Sequence, residues 1–290
     1  MIRFLKRIAQ LLLPPIVVQV IAKVINRFRQ PEWEYIPKGW EAAKNNDAIK
    51  GWQVESIRNT HIRRWPSFIA SLQGTGPFGQ SMEALDNHRP DLSSHNMMMT
   101  YAYALNLAAV GKTQLSMLDW GGGIGHYFFI SRAMRPDLTL NYHCKDFPVF
   151  AEYGKTLIPD AHFHSSDSWQ NQRYDFVLAS SSLQYSEDWC TVLTQLAAVT
   201  QNFLLLTRLP LVRHVPSYVM VQRPYAYGYQ TEYLGWCLNR SEVLTCAEQS
   251  GLKLVREFVV ETPPHIDNAP EQCDYWGFLF KRWHKYDSND

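Results

Sequence analysis

The sequence has no surplus of either charge and no paired cysteines. Its 290 residues carry 28 Lys and Arg against 27 Asp and Glu, a formal net charge of +1. A strong basic field, which proteins use to bind nucleic acid over a broad surface, is therefore missing. The five cysteines are scattered and none forms a C-x-x-C pair, which argues against a zinc site or a disulfide framework and is typical of a reducing compartment. They are Cys144, Cys190, Cys237, Cys246 and Cys273.

A hydrophobic run long enough to span a bilayer is also missing. The uncharged stretch from Ile8 to Ala22 is short for a membrane helix, and Pro14 and Pro15 interrupt it. No small-residue cleavage site follows, as a signal peptide requires. We interpret residues 1–30 as an amphipathic segment that either packs on the protein or lies on a membrane face with its basic residues toward anionic lipid. The expected location is the cytoplasm, with the inner membrane face as a peripheral alternative.

The most informative stretch is LSMLDWGGGIG, from Leu115 to Gly125. An apolar run that ends in an acid predicts a buried strand, and glycines at alternate positions allow a ligand to lie directly on the main chain. The apolar spacing from His126 to Arg135 predicts a helix that begins at this loop and ends before Pro136. The free N–H groups of that helix would face the same place.

The glycine spacing argues against a dinucleotide-binding loop. The G-x-G-x-x-G fingerprint requires a third glycine, but His126 occupies that place when counted from Gly121, and Phe128 when counted from Gly123. Asp119 adds a second objection, because an acid at the strand end repels a pyrophosphate. The same acid suits a cationic ligand or one that offers hydroxyl and amino donors.

Strands and helices alternate after this loop, which predicts a doubly wound α/β sheet. Further strands are predicted at 138–144, 161–164, 174–179 and 203–207, and two final strands at 253–261 and 275–282 bring the number to seven. Ligands of such sheets bind at the carboxyl ends of the strands. Polar side chains that follow each strand are therefore candidate ligand contacts.

Three polar side chains follow the second, third and fourth strands. The Asp146 carboxylate can accept hydrogen bonds from both hydroxyls of a ribose, and Asp167 is placed to accept from an adenine amino group. An ordinary capping or turn aspartate is the alternative for each acid. Ser180 begins a polar cluster that runs to Tyr185. The predicted cofactor contacts are Asp119, Gly121, Gly122, Gly123, Gly125, Asp146, Asp167 and Ser180.

The chain divides into three regions by composition. The amphipathic segment 1–30 is followed by a mainly helical region, 31–110, interpreted as a helical cap, and by the α/β domain, 111–290. Within that domain, residues 209–238 are rich in tyrosine and proline and are interpreted as a substrate lid or wall. His95 and Tyr103, in the helical region, are candidate substrate contacts, with purely structural roles as the alternative.

Several stretches resemble known methyltransferases. The pattern D-x-G-x-G-x-G at 119–125 looks like the first motif of class I S-adenosylmethionine-dependent methyltransferases. Further stretches are similar to one largely uncharacterised bacterial family that is often encoded among surface-polysaccharide genes. They are WEYIPKGW (33–40), LDWGGGIGHY (118–127), LASSSLQY (178–185), LLTR (205–208), VMVQ (219–222) and WCLNRSE (236–242).

The resemblance covers residues 30 to 283 and carries several implications. It implies a Rossmann-like sheet whose last strand is antiparallel, S-adenosylmethionine as cofactor, and a small-molecule or glycan acceptor in a surface-polysaccharide setting. It also implies that the helical region 31–110 covers the substrate side. The family pattern usually has a glycine within the serine cluster. Ser181 or its neighbour departs from that pattern.

Methyl transfer to a hydroxyl requires a positioned acceptor, exclusion of water and removal of a proton, and it needs no metal. His126, at the exit of the glycine loop, and His95 are candidate bases, and Tyr185 is a third candidate catalytic residue. Gln184, Arg208, Gln222 and Tyr103 are candidate substrate contacts. The alternatives are a non-catalytic binding or scaffold protein and a nicotinamide-dependent oxidoreductase, which the missing third glycine disfavours.

Overall fold

A computed structural model describes residues 30–78, 92–261 and 263–283. The prediction for the N-terminal segment 1–30 therefore falls almost entirely outside the described residues. None of the helices in these ranges is long and apolar enough to cross a membrane.

The described residues form ten strands and seven α-helices. The strands are β1 (Trp33–Tyr35), β2 (Gln114–Trp120), β3 (Thr139–Lys145), β4 (His162–His164), β5 (Tyr174–Ser180), β6 (Thr200–Val212), β7 (Tyr218–Gln222), β8 (Tyr233–Asn239), β9 (Leu252–Glu261) and β10 (Asp274–Arg282). The helices are α1 (Gly39–Ala43), α2 (Glu55–Gln73), α3 (Leu92–Ala108), α4 (His126–Met134), α5 (Pro148–Leu157), α6 (Trp189–Val199) and α7 (Arg240–Gln249).

Seven of the strands form the predicted doubly wound sheet, in the order β4-β3-β2-β5-β6-β10-β9. Strand β2 lies between β3 and β5 and is parallel to both. The last strand, β10, is inserted between β6 and β9 and is antiparallel to both. The predicted α/β class, the seven core strands and the antiparallel last strand are therefore confirmed.

Three strands extend this sheet beyond the prediction. Strands β7 and β8 form an antiparallel hairpin within 209–238, and β8 continues parallel to the far end of β6 through the pair Leu211 and Leu238. Strand β1 pairs with β7 and closes this end of the sheet. The segment interpreted as a lid or wall therefore consists largely of sheet.

Helices cover both faces of the core sheet. On one face α3 and α4 contribute buried side chains such as Tyr101, Leu105 and Ile130. On the other face α6 and α7 contribute Leu196 and Val243. Helix α3, although it precedes the first core strand, is thus one of the layers that bury the sheet, and α2 packs against α4 and α5 above the strand ends.

Strand β6 contains a β-bulge beside its most polar residues. The register between β6 and β10 shifts by one residue there, since Leu206 pairs with Phe278 but Leu209 pairs with Trp276. Both Thr207 and Arg208 therefore lie opposite Gly277. A bulge of this kind re-aims the side chains that follow it.

The packing of leucines confirms the change in phase along β6. Leu204 and Leu206 lie in the core cluster beneath α6 and α7, and Leu209 and Leu211 lie in the same cluster. Alternation along a strand places every second residue on one face. The leucines on this face have even numbers before the bulge and odd numbers after it, so β6 contains one extra residue between Leu206 and Leu209. That residue lies at the carboxyl end of β5 and β2, where ligands of such sheets bind.

A disulfide joins Cys190 on α6 to Cys246 on α7, with their Cα atoms 6.2 Å apart. Cys144, Cys237 and Cys273 are free and buried. The scattered positions of the cysteines argued against a disulfide framework, and this bridge corrects that expectation. The two residues are 56 positions apart in the chain, and only the packing of α6 beside α7 brings them together.

Candidate functional site

A cavity of about 450 Å³ lies at the carboxyl ends of β2, β3 and β5, within the size range of small-molecule sites, roughly 300–1,000 Å³. One side, the strand-end wall, consists of the glycine loop and the polar residues after the strands. It comprises Trp120, Gly121, Gly122, Gly123, Lys145, Asp146, Ser180, Ser181, Ser182 and Arg208. A second set of lining residues, the apolar wall, comprises Trp52, Ile57, His61, Phe68, Met97, Met98, His126, Ile130, Phe150 and Tyr229. Six further residues also line the cavity: Ser93, Ser94, Tyr127, Phe147, Tyr185 and Ser186.

The glycine loop presents bare backbone to the cavity at Gly123. Its φ is +62°, and a Cβ built there would meet nothing within 4 Å. The loop is fixed from behind, because a Cβ at Gly122 would overlap the Asp119 carboxylate. The Gly121 N–H also donates to the Lys145 carbonyl at 2.8 Å, which ties the loop to the end of β3.

Asp146 lines the cavity beside this loop. Its Oδ2 accepts from the Gly123 N–H at 2.7 Å, and its Oδ1 accepts from the Phe147 N–H at 2.6 Å. Burial raises the pKa of the Asp146 carboxyl to about 6, although these two backbone donors act in the opposite direction. The carboxylate is therefore held in one orientation, with lone pairs left to accept hydroxyl donors of a ligand.

Asp119 lies beneath the loop and is not among the described residues that line the cavity. It is 1% exposed and accepts a hydrogen bond from the Tyr142 hydroxyl at 2.5 Å. The pKa of its carboxyl is raised to about 7, mainly by burial; the Tyr142 hydrogen bond acts in the opposite direction, and the nearby Asp146 carboxylate makes a smaller contribution to the rise. None of the groups that act on this pKa is a cation.

Gln184 joins the ends of β5 and β6. Its side-chain Nε2 donates to the Ser181 hydroxyl and to the Arg208 carbonyl, each at 3.2 Å. Both partners have left-handed backbones, with φ of 53° at Ser181 and 58° at Arg208. Non-glycine residues rarely adopt this conformation. Ser181 thus has a backbone conformation that glycine would adopt without strain.

Two tyrosines connect the cavity to the polar strand ends. The Tyr127 and Ser180 hydroxyls, which both line the cavity, are 3.0 Å apart. The Tyr185 hydroxyl donates to the Gln222 side-chain oxygen at 3.2 Å, and the Tyr185 ring packs against Trp52 with 4.9 Å between ring centroids. Tyr185 therefore presents its ring to the cavity and its hydroxyl to Gln222.

His126 is buried in the apolar wall, with 9% of its surface exposed. Its ring lies 4.9 Å from the Phe68 ring and 5.3 Å from the His61 ring, measured between centroids. Its Nε2 is buried and has no hydrogen-bond partner within the described ranges. Burial, with a smaller effect of His61, lowers the His126 pKa well below its usual value, so the imidazole is neutral at pH 7.

His61, on α2, is the second imidazole of the apolar wall. Its Nε2 lies 3.3 Å from the Tyr229 hydroxyl, whereas its Nδ1 is buried and has no partner in the part of the chain that the structure describes. Burial, with a smaller effect of Arg64, lowers the His61 pKa to about 4. The wall therefore contains two neutral imidazoles, each with an unpaired ring nitrogen.

Eight of the predicted site residues come together in this cavity. They are Gly121, Gly122, Gly123, Asp146, Ser180, His126, Tyr185 and Arg208. The other predicted residues do not line it within the described ranges. Besides Asp119, they are Gly125, Asp167, Gln184, Gln222, His95 and Tyr103.

The residues outside the cavity have other surroundings. His95 Nδ1 lies 2.9 Å from the Phe78 carbonyl. Tyr103 is 45% exposed and packs against Phe258 on β9. Asp167 is exposed, and its Oδ1 accepts a long hydrogen bond of 3.4 Å from the Trp169 indole. None of these three residues lines the cavity among the described residues.

His61 and the aromatic residues around it were not identified from the sequence. One signal was available, because Ile57, His61, Trp65 and Phe68 follow a helical spacing and place His61 within an otherwise apolar stripe. Trp52 and Tyr229 carry no such pattern. They reach the site from a loop and from the segment after the β7 strand, and only tertiary structure joins them.

Within the described ranges, no group of three or more His, Cys, Asp or Glu side chains is arranged to hold a metal ion.

No family model matches the chain, and no curated protein matches it. Several solved structures are similar. A putative sarcosine dimethylglycine methyltransferase from Galdieria sulphuraria has 13% identity and a TM-score of 0.49, over 78% of this chain and 97% of that chain. Magnesium protoporphyrin IX methyltransferase from Synechocystis PCC 6803, crystallised with S-adenosylmethionine, has 12% identity and a TM-score of 0.43, over 81% and 100%.

A third similar structure is Burkholderia thailandensis 1,6-didemethyltoxoflavin-N1-methyltransferase, crystallised with 1,6-didemethyltoxoflavin and S-adenosylhomocysteine. It has 14% identity and a TM-score of 0.45, over 82% of this chain and 94% of that chain. Sequence identities and TM-scores this low assign no function to this chain. A function is therefore inferred below from the strand order and the cavity residues.

Proposed function

We propose that this protein is an S-adenosylmethionine-dependent methyltransferase that acts on a hydroxyl group. The observation that carries the proposal is the strand-end wall, where the open backbone at Gly123 and the oriented Asp146 carboxylate lie side by side in one cavity. A nucleoside needs this combination, because its ribose hydroxyls donate to a carboxylate while its sugar lies close to the main chain.

The residues present fit this cofactor. Asp146 would accept from the ribose hydroxyls, and the exposed ring of Phe147, which also lines the cavity, offers a face for adenine. Asp119 is buried, and no cation is among the groups that act on its pKa. Its carboxylate therefore favours a ligand that carries positive charge above the loop. When bound, S-adenosylmethionine supplies a methyl group on a positively charged sulfur.

The apolar wall supplies a proton acceptor and excludes water. A neutral imidazole has one ring nitrogen with a free lone pair, and His126 Nε2 is buried without a partner in the described part of the chain. An acceptor hydroxyl becomes far more acidic as its oxygen forms a new bond, so an imidazole of low basicity is sufficient to take the proton. The rings of Phe68 and Trp65, whose centroids lie 4.9 and 5.1 Å from that of His126, shield this nitrogen from water.

Calorimetric titration of the full chain tests the proposal. We expect S-adenosylhomocysteine and S-adenosylmethionine to bind and NADH not to bind. Asp146→Asn should weaken binding about tenfold, the effect of a hydrogen bond to a charged group. Asp167→Asn, the same chemical change outside the cavity, is the matched control and should leave binding unchanged.

Other outcomes would select the alternatives. Binding of NADH in place of S-adenosylhomocysteine would identify an oxidoreductase. Binding of neither compound by the wild-type protein would contradict the proposal and leave a scaffold role. An equal loss in Asp167→Asn would show that the acid after β4 also contacts the cofactor.

A further inference from the structure

We propose that the acceptor site of this cavity binds a planar aromatic compound with a single hydroxyl group, which is held by the unpaired ring nitrogens of His61 and His126. The role of this compound as methyl acceptor rests on the proposed function. The preference for an aromatic ring with one hydroxyl depends only on the residues of the apolar wall.

The apolar wall is built from large side chains that are fixed by their neighbours. Ile57 is fully buried, and Phe68 and Phe150 are 5% and 3% exposed. Trp52 stacks on Tyr233 with ring centroids 4.3 Å apart and planes 22° apart. A preformed apolar surface of this kind binds a flat ring at low entropic cost and with favourable ring contacts.

Three polar atoms of this surface are buried and lack a partner in the described part of the chain: Trp52 Nε1, His61 Nδ1 and His126 Nε2. The last two lie on neighbouring rings, whose centroids are 5.3 Å apart. The Tyr229 hydroxyl, 3.3 Å from the other nitrogen of His61, fixes the orientation of that ring. A buried polar atom without a partner is costly, so a ligand hydroxyl placed between these rings gains a hydrogen bond that neither imidazole makes within the protein.

A sugar fits this wall less well than an aromatic ring. A sugar carries hydroxyl groups on most of its carbons, and each one buried without a partner opposes binding. Apart from the imidazoles, the Trp52 indole and the Tyr229 hydroxyl, the apolar wall consists of side chains that form no ordinary hydrogen bonds. The wall therefore favours a planar aromatic acceptor over the glycan that the sequence resemblance implies.

Equilibrium dialysis with the full chain tests this, with and without S-adenosylhomocysteine. The probes are 2-naphthol, naphthalene, which lacks the hydroxyl, and methyl glucoside, which lacks the aromatic ring. We expect 2-naphthol to bind about tenfold more tightly than naphthalene, as one buried hydrogen bond allows, and methyl glucoside to bind least. Equal binding of 2-naphthol and naphthalene, or tighter binding of methyl glucoside, would overturn the proposal.

Variants assign the preference to the imidazoles. His61→Phe and His126→Phe keep a ring in place but remove the unpaired nitrogens, so each should reduce the preference for 2-naphthol while naphthalene still binds. His265→Phe, the same change at an exposed position outside the cavity, should leave all affinities unchanged. A full preference in both histidine variants would also overturn the proposal.

The proposed function and the acceptor proposal can fail separately. S-adenosylhomocysteine binding by each variant shows that the protein is folded and that the cofactor site is intact. If wild-type protein binds 2-naphthol as expected but binds no S-adenosylhomocysteine, the methyltransferase proposal fails and the aromatic site stands. The reverse result retains the methyltransferase and removes the aromatic acceptor.

Discussion

Ser181 is a non-glycine residue in a backbone conformation that favours glycine. Its φ of 53° lies in the left-handed region, where glycine is free of the steric penalty of a side chain. The Gln184 amide donates to its hydroxyl, so serine retains one contact that glycine would lose. The serine cluster could be located from the sequence, but this angle could not, because it depends on the pairing of β5 with β6.

Ser181→Gly should raise the free energy of unfolding by about 0.5–1 kcal/mol, since relief of the left-handed strain exceeds the loss of one partly buried hydrogen bond. Urea denaturation of the full chain measures the change. Ser182→Gly is the control, because Ser182 has a φ of −129° and its hydroxyl donates to the Trp120 carbonyl at 2.9 Å. That variant should lose stability, and a loss in Ser181→Gly as well would contradict the strain argument.

Asp119 combines a cost in stability with a role in binding. Its pKa of about 7 in the folded protein lies above the ordinary value of 3.8 for an aspartate, so the folded state binds more protons than the unfolded state between these values. The contribution of this group to stability is therefore present at low pH and is lost as pH rises through about 7. His61 acts in the opposite direction, because its folded pKa of about 4 lies below the ordinary histidine value of 6.5.

Asp119→Asn should stabilise the protein at pH 8, by at most about 4 kcal/mol for a shift of this size, and by little at pH 4. The same variant should weaken S-adenosylmethionine binding, because the negative charge beneath the loop is removed. Urea denaturation at both pH values and calorimetry at pH 8 measure the two effects. A variant that is no more stable than wild type at pH 8 would show that Asp119 is not destabilised by burial.

At the scale of elements, the β6 bulge explains why part of the sheet was missed. The apolar run 203–207 predicted a short strand, but β6 extends to Val212. Arg208 breaks the alternation, and Pro210 argues against a continuing strand because it cannot donate to a ladder. Proline is accommodated there opposite Tyr275. The three strands β1, β7 and β8 were missed together, because they pair with one another and with the end of β6 that lies beyond the bulge.

Gly277→Ala should destabilise the protein by about 1–3 kcal/mol, the usual cost of overpacking. Gly277 lies opposite the bulge, and a Cβ there would approach the Leu206 carbonyl, the Thr207 hydroxyl and Val260 Cγ2, each at 3.2 Å. Thermal denaturation measures the change, with Gly74→Ala as control because its nearest atom is 3.9 Å away. Equal stability of the two variants would show that the bulge adapts freely.

At the scale of the whole molecule, the two walls of the cavity differ in how well they could be predicted. The strand-end wall follows one rule, that parallel strands present their carboxyl ends at the same edge, so Asp146 and Ser180 were located from strand positions alone. The residues of the apolar wall come from separate parts of the chain, since His61 lies on a helix before the sheet and Tyr229 in a segment after it. Their meeting required the tertiary structure, whereas the positions of Asp146 and Ser180 in the cavity did not.

The Cys190–Cys246 disulfide is also a property of the whole molecule, since it closes a loop across a sequence separation of 56 residues that includes β6, β7 and β8. Such a loop restricts the unfolded chain, so the double variant Cys190→Ser, Cys246→Ser should lower the free energy of unfolding by about 2–4 kcal/mol. Urea denaturation with and without a thiol reductant measures this, and reductant should affect only the wild-type protein. Neither cysteine lines the cavity among the described residues, so S-adenosylhomocysteine affinity should be equal in wild type and variant. A wild-type protein that is insensitive to reductant and as stable as the variant would show that the bridge adds no stability.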